Sequence, residues 1–366
     1  MKIRRFMRPV FRFILGLIFI FSSLVKLVDP VGTQIKLNEY FSEEVLNLPI
    51  LIPWSLPIGI MLIVLELALG VALLIDYRTK ITYRISFLLL LFFLFLTGYS
   101  YFTGSVTDCG CFGDAVKLTP GETFFKNFIL LAILLLVWNK NNPSKQHFDI
   151  KDIVMALTVV SATLFAVWTV HHLPVIDFRP YAIGKNIRKG MEIPPGAKPF
   201  IFEDTWYYKV DGKVKAFKTA DKPWDIPGAE FVRRETRVAQ KGYEPPIHDF
   251  DIENDRANIT DSILDASDVY LILIPFPEHL HPTDSTLLTH AEQYFETHHK
   301  NFVIITADTI PWLNRWAHNH EREIFFSDPT TLKTMIRTPL GLMHLQKATV
   351  SEKYSLQDFL RIGNLI

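Results

Sequence analysis

The chain has 366 residues, no formal net charge and 49% hydrophobic residues. A balanced charge excludes a protein that works by coating a polyanion, and nothing points to nucleic acid. Long apolar runs fill the first 170 residues and the remainder reads as water-soluble, so two unlike domains are expected.

Five runs have the length of a membrane span, which takes about 20 residues. They are Val10–Val28, Leu56–Ile75, Ile85–Phe102, Thr123–Trp138 and Ile153–Val170. The first exceeds a signal-peptide core, has no small-x-small cleavage site and carries Lys26 near its end, so it reads as a retained span. Lys126 and Asn127 lie near one end of the fourth, where a lysine can snorkel to the interface. The segment after Asp29-Pro30 reads as a loop partly in the interface, with Tyr40, Phe41 and Trp54 as anchors.

Basic residues set the orientation. Lys2, Arg4, Arg5, Arg8, Arg12, Arg78, Lys80, Arg84, Lys140, Lys145 and Lys151 fall on one side, against Lys36, Lys117 and a snorkelling Lys126 on the other. By the positive-inside rule the N-terminus is cytoplasmic in the cell (inner) membrane. Everything after Val170 and the loop "TDCGCFGDA" then lie in the extracytoplasmic or periplasmic space, where disulfides are permitted.

Cys109 and Cys111 in that loop are the chain's two cysteines. A disulfide across a single residue needs a tight turn, which Gly110 permits. Such a small ring is strained and therefore labile, and it constrains the unfolded chain little. We therefore place a redox couple, with Cys109 and Cys111 as the catalytic residues, ahead of a structural turn. Metal binding by Asp108, Cys109, Cys111 and Asp114 comes third, since the set lacks histidine. Lys117 and Lys126 favour a thiolate if they fold back near it. Glu66 sits mid-span, where an ionisable group is costly. It reads equally as a neutral carboxyl holding helices together and as a group handling protons or polarising a bound quinone, the one cofactor considered. Gly16 and Gly70 suit close helix packing.

With "LGLIFIFSSLVKLVDPVG", "ELALG", "DCGCFGD" and "FFKN", residues 8–140 resemble the DoxX-like membrane proteins and, more closely, the methylamine-utilisation MauE family within them. The matching positions are Arg12, Gly16, Lys26, Glu66, Gly70, Cys109, Gly110, Cys111, Phe112 and Gly113; Ser23 stands where many relatives carry glycine. The resemblance implies a four-helix bundle with an outward-facing cysteine pair. Its layout is similar to the vitamin K epoxide reductase type, which uses a two-residue spacer. MauE-like proteins are associated with disulfide formation or maturation of a periplasmic partner, often beside a thioredoxin-like protein.

The expected organisation is a membrane domain over 1–150, a fifth span over 151–172, a connector with a β-hairpin over 173–246 and an α/β domain over 247–366. Asp211-Gly212 marks the hairpin turn. From Asp249, strands "VYLILIPF", "NFVIITAD" and "EIFFSD" alternate with helices "DSTLLTHAEQYFETHH", "IPWLNRWAHNH" and "PTTLKTMIR". Asp308 or Thr309 is the expected cap of the second helix, and Asp328 opens the third. Strands "LMHLQKA" and "VSEKYS" follow. This layout resembles a thioredoxin-like domain, with Pro339 near the position of that fold's cis-proline. Where the fold carries its cysteines this chain has "PFPEHLHP", so the domain cannot exchange disulfides itself. Its histidines, His279 and His281 among them, read as surface residues, and Trp312 and Trp316 as core. Two functions are therefore weighed. One is a membrane thiol-redox or maturation protein, acting on an extracytoplasmic, thioredoxin-like partner. The other is a non-catalytic scaffold or assembly factor working through its C-terminal domain.

Overall fold

The computed structural model describes residues 2–106, 110–116, 118–138 and 149–363. Among them, five helices are long and apolar enough to cross a membrane: Met7–Val28, Pro49–Ile75, Thr79–Thr103, Pro120–Val137 and Ile150–His171. They correspond to α1 (Lys2–Val28), α3 (Ser55–Ile75, entered through the 3-10 turn Pro49–Trp54), α4 (Thr79–Thr103), α5 (Pro120–Val137) and α6 (Ile150–His171). A short helix, α2 (Pro30–Phe41), follows α1.

Helices α1, α3, α4 and α5 form the bundle, closed around Leu15, Phe19, Leu69, Leu73, Leu90 and Leu134. Helix α6 lies outside it, Ala162 and Ala166 packing on Ile63, Val64 and Leu67. Phe13, Leu88, Phe95, Leu157 and Leu164 are exposed on the flanks, as lipid-facing side chains must be. Gly16 and Gly70 bring α1 and α3 into backbone contact: a Cβ on Gly70 would stand 2.7 Å from Ile20 Cγ1 and 3.0 Å from the Gly16 carbonyl oxygen. At the basic end, Arg12 pairs with Asp76, and Asp152 accepts from Arg78 at 2.8 Å and Tyr77 at 2.7 Å.

Helix α2 corrects one expectation. Tyr40 and Phe41 are 4% and 6% exposed and pack on Leu37, Leu96 and Val106, so they are core rather than interfacial anchors. Trp54 remains 62% exposed. The reason is local: Asp29 caps α2 by accepting from the Gly32 N–H at 2.9 Å, and Pro30 starts the helix, so the segment folds back along α3 instead of lying flat.

The C-terminal half begins with α7 (Ile187–Met191) and a three-stranded antiparallel sheet of β1 (Ile201–Val210), β2 (Lys213–Lys218) and β3 (Glu230–Gln240), in the order β2-β1-β3. Asp211 and Gly212, both at positive φ, make the hairpin turn between β1 and β2. The third strand was not expected; all of it is exposed, so no burial period marks it in the sequence.

Beyond it lie α8 (Thr260–Asp265), β4 (Val269–Ile274), α9 (Ser285–Thr297), β5 (Phe302–Thr306), α10 (Pro311–Asn319), β6 (Ile324–Phe326) and α11 (Pro329–Met335). Strands β7 (Gly341–Gln346) and β8 (Thr349–Ser355) and helix α12 (Leu356–Ile362) are the last elements among the described residues. The sheet order is β6-β5-β4-β7-β8, with β4, β5 and β6 parallel and β7 and β8 antiparallel, a thioredoxin-like layout. Alternation along β4 divides the core. Leu271 and Leu273 face Ile187, Ile263 and Leu332 of α7, α8 and α11, whereas Ile272 and Ile274 face Leu288, Leu313 and Leu360 of α9, α10 and α12. Tyr181, Ile187 and Ile247 belong to the first of these cores, so the stretch after α6 is built into the α/β domain and the small sheet is an excursion from it. Trp316 is core, and Asp328 caps α11 as expected. Helix α10 instead has Ile310 at its N-cap, because Asp308 is occupied with the Thr309 N–H at 2.6 Å. Among the described residues no peptide bond is cis, Pro339 included.

Candidate functional site

The cysteine loop joins α4 to α5. Asp108, Cys109 and Lys117 lie outside the described residues; Gly110 to Val116 do not. Gly110 and Gly113 both take positive φ, and the Gly113 N–H donates to the Gly110 carbonyl at 3.0 Å, closing a turn around Cys111 and Phe112. Each glycine also permits a close approach: a Cβ on Gly110 would stand 3.0 Å from Lys36 Cγ, and one on Gly113 3.3 Å from Val25 Cγ1. Ser22 of α1 donates to the Cys111 carbonyl at 2.9 Å. The Phe112 ring wedges between Phe21 (centroids 5.6 Å apart) and the Lys126 ammonium (4.2 Å). The loop is thereby pinned to α1, α2 and α5.

Two spaces border it. Below is a cavity of ≈ 10 Å³ whose polar lining is Ser22, Lys26, Glu66, Cys111, Lys126 and Asn127. Lys26 and Glu66, 8% and 4% exposed, form an ion pair there, Nζ donating to Oε2. Sequence reading gave Glu66 as a neutral carboxyl holding helices together or as a group handling protons or polarising a quinone, and named no partner; the partner sits on another helix 40 positions away. A cavity of ≈ 10 Å³ has room for about one water and not for a quinone ring.

Above the loop opens a cleft of ≈ 1360 Å³. Gly110, Gly113 and Asp114 line its floor with Lys36 of α2; Arg179, Tyr181, Asp249, Lys333 and Arg337 are among the residues of its roof. The α/β domain therefore stands directly over the cysteine loop.

Arg337 makes the connection. It leaves the end of α11 just before Thr338-Pro339, its side chain 8% exposed. Nε donates to Asp29 Oδ2 at 2.8 Å, Nη2 to Asp114 Oδ2 at 3.0 Å and Nη1 to the Lys333 carbonyl at 2.6 Å. Burial opposes the charge, but Asp29 and Asp114 more than offset it and hold the guanidinium proton tighter than usual. Beside it, Asp177 accepts from Arg179 Nε and Lys353 Nζ, both at 2.7 Å. Burial would raise the Asp177 carboxyl, but the two cations pull it below its ordinary value. Asp114, one of the carboxylates of the third-ranked metal reading, is thus held by Arg337. Among the described residues no group of three or more His, Cys, Asp or Glu side chains converges, His279 and His281 included. Nothing in the sequence pattern announced Arg337, because both its carboxylate partners lie more than 200 residues away.

The fold and the loop define a five-helix membrane protein with an α/β cap over a cysteine-bearing turn. Residues 4–139 match the family model of methylamine utilisation protein MauE, so the membrane half is MauE-like. Protein TlpB of Flavobacterium psychrophilum is 31% identical over 168 residues, 42% of this chain and 43% of the relative. The chain therefore spans less than half the length of that curated relative. No solved structure matches the chain.

Proposed function

We propose that the protein is an integral membrane thiol–disulfide exchange or maturation protein. In this reading Cys109 and Cys111 are the working couple, and a cysteine-bearing segment of an extracytoplasmic partner enters the cleft. The observation that carries it is the position of the loop as the floor of a ≈ 1360 Å³ cleft, roofed by a domain that has no cysteine of its own. The N-terminus is cytoplasmic in this reading, as the basic residues of α1 and of the α3–α4 turn require.

In the exchange, a partner thiolate attacks the loop disulfide, forming a mixed disulfide and releasing one loop sulfur. The partner's second thiolate then resolves it, so the partner leaves oxidised and the loop reduced. Cys109→Ser and Cys111→Ser test this in turn. In one of the two, the remaining thiolate should attack the oxidised partner and accumulate a mixed disulfide with it in intact cells, and both should reproduce the phenotype of the gene deletion. If both variants support the wild-type phenotype, the exchange reading is wrong.

The second reading is a scaffold acting through the α/β domain, favoured by the absence of cysteine from that domain. It predicts that a chain ending at residue 172 is as defective as a deletion even though its loop still exchanges thiols.

A further inference from the structure

We infer that the Lys26–Glu66 pair is a proton relay serving the Cys111 sulfur, joined to it by a single water. The inference rests on the exchange reading above.

A buried ion pair inside a membrane bundle is an expensive way to hold helices together, since apolar side chains of similar volume do so at lower cost. The placement of this pair suggests another use. Cys111 is the loop residue that lines the small cavity, and the cavity's other polar walls are Ser22, Lys26, Glu66, Lys126 and Asn127. Its volume is that of about one water, and these walls offer the two to four partners that a buried water needs. The remaining lining, Ile18, Phe19, Leu90, Phe93 and Leu130, is apolar.

The charged groups that line the small cavity come from three of the four bundle helices. Lys26 comes from α1, Glu66 from α3 and Lys126 from α5; α4 contributes only Leu90 and Phe93. On the cleft side, Lys36 of α2 lies against Gly110, and Asp114 is held by Arg337. Lys26 and Glu66 are thus a proton donor and acceptor already in contact at the wall of the cavity that Cys111 shares.

When a partner thiolate attacks the loop disulfide at Cys109, the S–S bond breaks and its electron pair leaves on the Cys111 sulfur. That sulfur takes a proton from the bridging water, which takes one from the Lys26 ammonium. The partner's second thiolate then expels the Cys109 sulfur, which is protonated from solvent. The partner thiols release two protons to solvent; the loop takes one from solvent and one from Lys26, which recovers its proton when the loop is reoxidised. In the reverse direction the Cys111 proton passes through the water to the pair.

The test uses full-length protein in vesicles with the loop oxidised, and dithiothreitol as the reductant. Glu66→Gln and Lys26→Gln are each expected to slow exchange about a hundredfold, the usual contribution of a positioned acid or base. The equilibrium potential of the loop should stay where it was. In Glu66→Ala, added formate should restore part of the rate. The reversed pair Lys26→Glu with Glu66→Lys keeps the contact and guards against misfolding; it should exchange faster than either single variant. An unchanged rate in the single variants overturns the relay, as does a rate loss matched by a shift in potential. A wild-type loop that does not exchange with dithiothreitol at all would instead remove the exchange reading itself.

Discussion

Arg337 is the residue on which the contact between the two halves turns. Arg337→Met would leave Asp29 and Asp114 facing each other across the space of a lost guanidinium, at a cost of about 3 kcal/mol to the docked state. Hydrogen exchange should then rise in residues 110–116 and in α11 together, with the core of β4 unaffected. Lys353 gives a prediction of pH dependence. Burial, and then Arg179, push it down to about 8 from the usual 10.5 in spite of Asp177. The folded protein therefore binds fewer protons than the unfolded one between those two values. The penalty is complete below about pH 8 and is relieved as the pH rises toward 10.5, a gain of roughly 3 kcal/mol. Denaturation followed by the fluorescence of Trp312 and Trp316 should show this rise, and Lys353→Met should flatten it. Of these residues the sequence disclosed little. Nothing in the stretches "VSEKYS" and "PTTLKTMIR" marks Lys353 or Arg337, and only the fold shows them buried.

At the scale of elements, the spans were legible because an apolar run of membrane length is hard to read otherwise, and all five expected runs coincide with helices. The strands of the five-stranded sheet were legible from their apolar runs, as in β4, buried on both faces. Strand β3, fully exposed, and the short helices α8 and α12 were not. The glycines of α1 and α3 were read correctly as packing residues, and the structure adds what the packing achieves: it sets the separation across which Lys26 meets Glu66. Gly70→Val should force the helices apart at Ile20 and cost about 2 kcal/mol in detergent unfolding. It should also open the cavity beneath the loop, so that Cys111 in a Cys109→Ser background reacts faster with a maleimide than with Gly70 intact.

Across the whole molecule, the cysteine loop lies between a small polar cavity inside the bundle and a large cleft beneath the α/β domain. The domain above it has the thioredoxin-like layout but no cysteine, and a buried arginine docks it on the loop. The two-part plan could be read from composition alone. That the second part sits on the loop of the first could not, because the bonds that join them span 308 and 223 positions.

The most direct test of the central claim is the redox state of Cys109 and Cys111 in intact cells, read by alkylation that adds mass per free thiol across a series of redox buffers. A working couple should titrate reversibly, with a potential well above the roughly −300 mV below which structural disulfides lie. A pair that stays oxidised under strong reduction, or stays reduced and unreactive throughout, would contradict it.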